Sequence, residues 1–207
     1  SGWISTDSSP HSAQDNAVTD SNIPTLTVEQ DHAVNTILSA QSHFHVSLLH
    51  GITGSGKTEV YLRLIAAMLM QDKQVLVLVP EINLTPQLEA IFHNRFPCTN
   101  LISLHSGLND TERLQGWLQA QTGEANIVLG TRLAIFTPLP NLGLIIVDEE
   151  HDHSFKQQDG LRYSARDLAI FRSKQVNIPV ILGSATPSLE SYHSAITGRY
   201  RVIQLTS

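Results

Sequence analysis

The chain has 207 residues, a hydrophobic content of 41% and a formal net charge of -6. It is long enough for one large domain with a sizeable core, it has no apolar run of the ~18 residues that a membrane span needs, and its acidic balance argues against a generic electrostatic nucleic-acid binder. The single Cys98 excludes an internal disulfide and a multi-cysteine zinc site, which fits a reducing, cytosolic compartment.

The start of the chain, residues 1–24, is rich in Ser, Asp, Asn and Thr. This composition buries little apolar surface and predicts a flexible linker or arm. The chain lacks an initiator Met, so we expect either a piece of a longer protein or a chain that begins with a cloning scar. The first helix is predicted to begin at Thr27, because Thr27 and Gln30 have capping-box spacing. Gln30 has a second possible role, since an amide upstream of a phosphate loop can hydrogen-bond both edges of adenine; spacing alone favours capping.

A buried strand is predicted over residues 45–50, and it leads into the sequence GITGSGKT at residues 51–58. This segment fits the phosphate-loop pattern G-x-x-x-x-G-K-[ST] at every fixed position. Its glycines permit a sharp turn and close approach of the backbone to a ligand, and its N–H groups form an anion site at the start of a helix. The expected nucleotide-binding residues are Gly51, Thr53, Gly54, Ser55, Gly56, Lys57 and Thr58, with Lys57 on the phosphates and Thr58 on Mg²⁺.

Further elements alternate along the chain. Apolar runs predict strands at residues 74–79, 101–104, 127–129, 144–147, 180–182 and 202–205. Helical spacing and capping residues predict helices over 57–70, from Pro86 to about residue 96, from Asn109, from Ser164 to 172, and from Ser188. The alternation predicts an α/β fold with a mainly parallel central sheet and helices on both faces.

The second chemical signal is Asp148-Glu149-Glu150-His151, at the end of an apolar strand. In a nucleotide site the first acid coordinates Mg²⁺, and the next polarises the water that attacks the γ-phosphate. We therefore predict Asp148 as a magnesium ligand and Glu149 as a catalytic carboxylate. Direct metal ligation by His151 and His153 is the alternative.

Basic residues concentrate in one part of the chain. Five of the 13 Lys and Arg residues lie between positions 156 and 174: Lys156, Arg162, Arg166, Arg172 and Lys174. The cluster predicts either a local basic surface or an ordinary solvated helix face.

Taken in chain order, the motifs resemble the first RecA-like domain of a superfamily 2 helicase. They are the phosphate loop, residues 80–87, residues 130–132 (GTR), the acidic motif and residues 184–186 (SAT). Residues 155–167, FKQQDGLRYSARD, are similar to the bacterial primosomal replication-restart DNA helicases. The resemblance covers residues 25–207 and implies a three-layer RecA-like P-loop NTPase domain that uses ATP and Mg²⁺.

The resemblance also implies residue roles. It favours adenine recognition by Gln30, contact of Arg132 with the tracking DNA strand, and coupling of hydrolysis to movement by Ser184 and Thr186. A loop that senses single-stranded DNA would contain Phe155, Lys156, Arg162, Tyr163 and Arg166. Stacking of a base on an aromatic ring contributes about 1–3 kcal/mol, although Phe155 and Tyr163 are alternatively plain packing residues. Leu133 replaces the small Ser expected after Arg132, which puts the DNA contact there in doubt.

The implied function is the ATP-binding motor of a 3′-to-5′ DNA helicase that restarts replication at stalled forks and couples ATP hydrolysis to translocation on single-stranded DNA and to unwinding. Implied partners are single-stranded and forked DNA, primosome proteins and single-stranded DNA-binding protein. The implied location is the bacterial cytoplasm at the nucleoid, and no membrane partner is implied. Alternatives are a superfamily 2 duplex DNA translocase, another P-loop NTPase such as a small-molecule kinase or a transporter ATPase, and a non-enzymatic module.

The same family has a winged-helix DNA-binding region, a second RecA-like domain with an arginine finger, and a cysteine-rich zinc-binding insertion. With one Cys in the sequence, we expect no zinc in this fragment. Without the arginine finger, we expect the fragment alone to be nearly inactive.

Overall fold

The computed structural model describes residues 23–206. The linker predicted for residues 1–24 lies, up to residue 22, outside the described residues. The helices are α1 (Val28–Leu38), α2 (Lys57–Leu69), α3 (Pro86–Arg95), α4 (Asp110–Thr122), α5 (Ala165–Gln175) and α6 (Leu189–Ile196). The strands are β1 (Val46–Gly51), β2 (Gln74–Leu78), β3 (Leu101–Leu104), β4 (Ile127–Gly130), β5 (Leu142–Val147), β6 (Lys156–Gln157), β7 (Tyr163–Ser164), β8 (Val180–Ser184) and β9 (Arg201–Leu205). None of the helices within residues 23–206 is long and apolar enough to cross a bilayer.

Seven of these strands form one sheet in the order β3-β4-β2-β5-β8-β1-β9. Every neighbouring pair in this sheet is parallel. The predicted parallel α/β architecture is therefore confirmed. Because all strands run the same way, their carboxyl ends lie along one edge, which is where open α/β sheets bind ligands.

Alternate residues of each strand pack on opposite faces of the sheet. In β2, Val75 and Val77 belong to the core beneath α1, α2 and α3, whereas Leu76 and Leu78 belong to the core beneath α5. The central strands β2, β5 and β8 are buried along their whole length, because helices cover both faces of the sheet. The protein thus has three layers with two separate apolar cores.

The helix starts follow the predicted caps. Thr27 and Gln30 form a complete capping box on α1, and Thr85 caps α3 ahead of Pro86. The side chains of Ser164 and Ser188 accept backbone hydrogen bonds at the starts of α5 and α6. These local contacts fix where each helix leaves the preceding loop.

Helix α4 packs differently from what its apolar residues suggest. Leu114, Trp117 and Leu118 are exposed by 60%, 38% and 49% of their surface, and the buried positions are Gly116 and Ala120. A side chain at Gly116 would meet Leu104 at 3.0 Å, so the helix approaches the sheet closely through its small residues.

Candidate active site

Three neighbouring strands end at the predicted nucleotide site. The phosphate loop follows β1, the acidic motif follows β5, and Ser184 is the last residue of β8. These strands lie side by side in the order β5-β8-β1. The sheet therefore brings together three motifs that lie far apart in the sequence.

The phosphate loop turns through two glycines in the left-handed region. The φ angles are 88° at Gly54 and 81° at Gly56, values that L side chains rarely adopt. A side chain at Gly51 would meet the Ser55 hydroxyl at 2.4 Å. The loop can close tightly at the start of α2 only because these positions carry no Cβ.

Lys57 begins α2 and is 8% exposed. Its ammonium donates to the carbonyls of Gly51 at 2.8 Å and Ile52 at 3.4 Å, and it lies 3.8 Å from a carboxylate oxygen of Glu149. The predicted phosphate-binding lysine and the predicted catalytic carboxylate are thus in direct ionic contact. Glu149 has a φ of 48°, which is rare for a non-glycine residue and typical of functional sites.

Asp148 lies beside Glu149 and accepts a hydrogen bond on its Oδ1 atom, at 2.9 Å, from the hydroxyl of Tyr61 in α2. Burial raises the pKa of Asp148 and the nearby Glu149 charge adds to this effect, while the Tyr61 hydrogen bond opposes it. Burial also raises the pKa of Tyr61, so that its phenol stays protonated and remains a donor.

His151 joins the acidic motif to the end of β8. Its Nδ1 lies 2.8 Å from the Ser184 hydroxyl and its Nε2 lies 3.2 Å from the Thr186 hydroxyl. Both ring nitrogens are therefore engaged, and Nδ1 is also 3.6 Å from Glu149. No group of three or more His, Cys, Asp or Glu side chains within residues 23–206 is arranged to hold a metal. These contacts do not support the alternative of metal ligation by His151 and His153.

The residues present fit a nucleotide with Mg²⁺. The hydroxyl of Ser55 is buried with no hydrogen-bond partner within residues 23–206, inside a loop of the type that binds phosphate. Mg²⁺ is usually held by one or two protein oxygens together with phosphates and waters, so a full cage of carboxylates is not needed. Thr58, in the first turn of α2, and Asp148 are the residues that would hold it.

Gln30 is 9% exposed, and both ends of its amide are engaged. The Oε1 atom accepts from the Thr27 N–H at 3.0 Å, and the Nε2 group donates to the Ser55 carbonyl at 3.2 Å. The predicted capping role is confirmed. These two bonds leave one N–H and one lone pair of the amide for the predicted adenine-reading role, which stays a prediction.

Two residues of the predicted DNA-sensing loop face the interior. Phe155 is 1% exposed within the core beneath α5, so it cannot stack on a base in this conformation, and the packing alternative describes it. Arg166 is 8% exposed and bonds to Glu150, Asp167 and Ser188. This burial argues against its expected contact with DNA, because the guanidinium is engaged by partners within the protein.

The other predicted DNA-contact residues remain near the surface. Lys156 and Arg162 are exposed and Tyr163 is half-buried, with its ring packed edge-on against Phe136 at 5.1 Å. All three line one open cavity of about 610 Å³. They belong to a two-stranded hairpin, β6 and β7, which the sequence analysis missed although Asp159-Gly160 is a turn signal.

The basic cluster therefore does not form one surface. Arg172 donates to the carbonyls of Ile135 and Thr137, and Arg166 is buried as described. Arg132, which lies outside this cluster, is half-buried and donates to the Ser154 carbonyl at 3.3 Å. Only part of the cluster remains free to meet a ligand.

Glu150 is a central residue that the sequence analysis did not assign. It is 2% exposed and its carboxylate accepts from Arg166 at 3.1 Å, from the Ser188 N–H at 2.7 Å and from the Ser191 hydroxyl at 2.9 Å. It thereby joins the acidic motif to α5 and α6. In the sequence, Glu150 is marked only by its place between Glu149 and His151 and by Arg166 in a later helix, and neither feature predicts a buried ion pair.

A parallel sheet with a phosphate loop, a paired carboxylate site and a histidine link to a third strand defines a RecA-like P-loop NTPase domain. The chain belongs to the DEAD/DEAH box helicase family, whose family model matches residues 27–195. Among curated proteins it is similar to the replication restart protein PriA of Haemophilus influenzae, with 53% identity over 182 residues. It is also 47% identical to PriA of Bacillus subtilis over 183 residues.

These matches cover 88% and 87% of the chain but 25% and 22% of the two relatives, so the chain spans about a quarter of their length. Among solved structures it is similar to RecG bound to a three-way DNA junction, with a TM-score of 0.62 and 22% identity over 88% of this chain and 24% of that one. The DEAD-box helicase Mss116 gives a TM-score of 0.64 and 20% identity over 89% and 41%. These two likenesses confirm the fold.

Proposed function

We propose that the chain is the ATP-binding motor domain of a 3′-to-5′ DNA helicase that acts in replication restart at stalled forks. The observation that carries the proposal is the meeting of the phosphate loop, the Asp148–Glu149 pair and Ser184 at one sheet edge, linked through His151. The relatives named for replication restart support the choice of process. The unwinding activity is assigned to the longer protein of which this domain is a part.

The chemistry of the site suits phosphoryl transfer to water. Lys57 places a positive charge where the β- and γ-phosphates would lie, and the first N–H groups of α2 add partial positive charge. Thr58 and Asp148 would hold Mg²⁺, which when bound would neutralise charge on the transferring phosphoryl group. Glu149 then orients the attacking water and accepts its proton.

Coupling to movement is proposed to pass through His151. Glu149 is 3.6 Å from His151, and His151 holds both Ser184 and Thr186. A shift of Glu149 during hydrolysis would therefore reach the Ser-Ala-Thr segment through one residue, His151. Single-stranded or forked DNA is proposed to bind along the same edge, near Arg132, Arg162 and Lys156.

Primosome proteins and single-stranded DNA-binding protein are proposed as partners of the longer protein, in the bacterial cytoplasm at the nucleoid. The zinc that the resemblance implies for the longer protein is proposed to lie outside this fragment. The test of the motor assignment is strand displacement on forked DNA. Movement along duplex DNA without strand separation would assign the chain to a duplex translocase instead.

The isolated 207-residue chain is expected to hydrolyse ATP at most weakly, with little response to DNA. The proposed reason is that the arginine finger, which contributes about 10³–10⁵-fold in related phosphoryl transfers, belongs to the second RecA-like domain that the resemblance implies for the longer protein. Steady-state ATPase of this chain and of the full-length protein, each with and without single-stranded DNA, measures the difference. Robust DNA-stimulated turnover by the short chain would contradict the incomplete-site assignment.

Replacing Arg162 with alanine in the full-length protein is expected to weaken the stimulation of ATPase by single-stranded DNA several-fold, with the basal rate kept. Arg162 is exposed on the hairpin, so its loss removes a phosphate or stacking contact without disturbing the core. Arg199→Ala, at another exposed arginine, is the matched control. Equal DNA stimulation in both variants would exclude a DNA-sensing role for Arg162. Phe155→Ala is unsuitable for this test, because it removes a buried ring.

A further inference from the structure

The hydroxyl of Tyr61 lies where three elements of the site converge. Tyr61 belongs to α2, the helix that begins at Lys57, and is 2% exposed. Its hydroxyl donates a 2.9 Å hydrogen bond to Oδ1 of Asp148, at the end of β5. Against its other side lies Gly183, in β8.

Gly183 creates the space that the hydroxyl occupies. A Cβ built on Gly183 would lie 1.6 Å from the Tyr61 oxygen and 3.1 Å from Asp148 Oδ1. The φ of Gly183 is not in the left-handed region, so its backbone does not require glycine. What requires glycine there is the close approach of the tyrosine hydroxyl and the carboxylate.

From these contacts the geometry points to Tyr61 as a positioning residue that fixes the orientation of the Asp148 carboxylate for Mg²⁺, through a hydrogen bond for which Gly183 leaves room. This inference rests on the proposed function, in which Asp148 holds the metal. A carboxylate held at Oδ1 presents Oδ2 in one direction, whereas a free carboxylate must be ordered when the metal binds. Outer hydrogen bonds of this kind typically change metal affinity by about 10–100-fold.

A second consequence concerns the two motifs that Tyr61 connects. Because Tyr61 and Lys57 lie on the same helix one turn apart, the helix that positions the phosphate-binding lysine also positions the magnesium carboxylate. The relative placement of phosphate and metal sites is thereby set by one rigid element. A water molecule in place of the hydroxyl would not carry this constraint.

The test is Tyr61→Phe in the full-length protein, with Tyr192→Phe as the control. Tyr192 is 59% exposed on α6, so the same loss of one hydroxyl occurs away from the site. The first measurement is Mn²⁺ binding in the presence of a non-hydrolysable ATP analogue, followed by electron paramagnetic resonance. The second is the dependence of DNA-stimulated ATPase on Mg²⁺ concentration. The expected result for Tyr61→Phe is about 10-fold weaker Mn²⁺ binding and a matching rise in the Mg²⁺ concentration for half-maximal rate, with the rate largely recovered at saturating Mg²⁺.

A purely structural role predicts another pattern, in which the rate falls at every Mg²⁺ concentration and Mn²⁺ affinity is unchanged. That pattern would overturn the inference, as would unchanged values in both assays. Thermal unfolding of both variants separates loss of fold from loss of metal affinity. If wild-type protein itself shows no DNA-stimulated ATPase and no metal-dependent nucleotide binding, the proposed function fails, and that outcome is distinct from failure of the Tyr61 assignment.

Discussion

Replacing Lys57 with alanine in the full-length protein is expected to lower DNA-stimulated ATPase by at least about 10²–10³-fold, the effect of removing one preorganised hydrogen-bond donor that stabilises a charged transition state. Lys57 is the buried cation of the phosphate loop and lies 3.8 Å from Glu149. Its loss removes the positive charge that would meet the γ-phosphate. Binding to forked DNA is expected to persist, because the proposed DNA contacts at Arg162 and Lys156 lie on the β6–β7 hairpin.

The control for Lys57→Ala is a second lysine whose charge can be removed without affecting ATP hydrolysis. Lys73 is exposed in the turn before β2, and Lys73→Ala keeps the Cβ that packs near Gly143. We expect its ATPase to match the wild type. Steady-state ATPase and equilibrium binding to labelled forks measure both properties, and survival of hydrolysis in Lys57→Ala would refute the site assignment.

The parts of the site that sequence alone predicted depend on local chemistry. The glycine spacing of residues 51–58 dictates a loop that needs positive φ, and the structure has it at Gly54 and Gly56. The apolar strand before Asp148 dictates a buried strand that ends in a group of acids at the edge of the sheet. Because parallel strands end at a common edge, these two patterns suffice to bring Lys57 close to Glu149.

The sequence-based predictions that differ from the structure concern which side of a helix or turn faces the interior. Phe155 and Arg166 have the chemistry of DNA-contact residues, but the three-residue 3₁₀ turn His153–Phe155 and helix α5 direct both of them inward. Burial of an arginine depends on a partner supplied by a distant segment, here Glu150, and no local pattern reveals it. Similarly, α4 rests on Gly116 and Ala120, because close approach to β3 favours small residues over the larger Leu114 and Trp117.

Gln30 makes a long-range contact that the sequence could not predict. Its amide caps α1 and also bonds the Ser55 carbonyl, and a side chain at Gly56 would meet its Nε2 at 2.2 Å. The side chain that caps α1 therefore also joins this helix to the phosphate loop. Capping spacing could be read from Thr27 and Gln30, but the contact across 25 residues needed the fold.

Replacing Glu150 with alanine is expected to lower the free energy of unfolding by about 3–5 kcal/mol, as when one partner of a buried ion pair is removed. The side chain of Glu150 is 0% exposed and that of Arg166 is 9% exposed. The variant leaves the Arg166 guanidinium and the Ser188 N–H without their carboxylate acceptor in a site that water does not reach. Domains of this size are stable by about 5–15 kcal/mol, so the loss is a large fraction of the total.

Urea unfolding of the 207-residue chain, followed by far-ultraviolet circular dichroism, measures this change. Glu124→Ala, at an exposed acid in the loop before β4, is the matched control and should stay within about 0.5 kcal/mol of wild type. The double variant Glu150→Leu with Arg166→Met should recover part of the loss, because apolar replacements remove the buried charge that has lost its Glu150 partner. If Glu150→Ala behaves like Glu124→Ala, then the carboxylate does not hold α5 and α6 to the acidic motif, and the position of His151 against Ser184 must be maintained by other contacts.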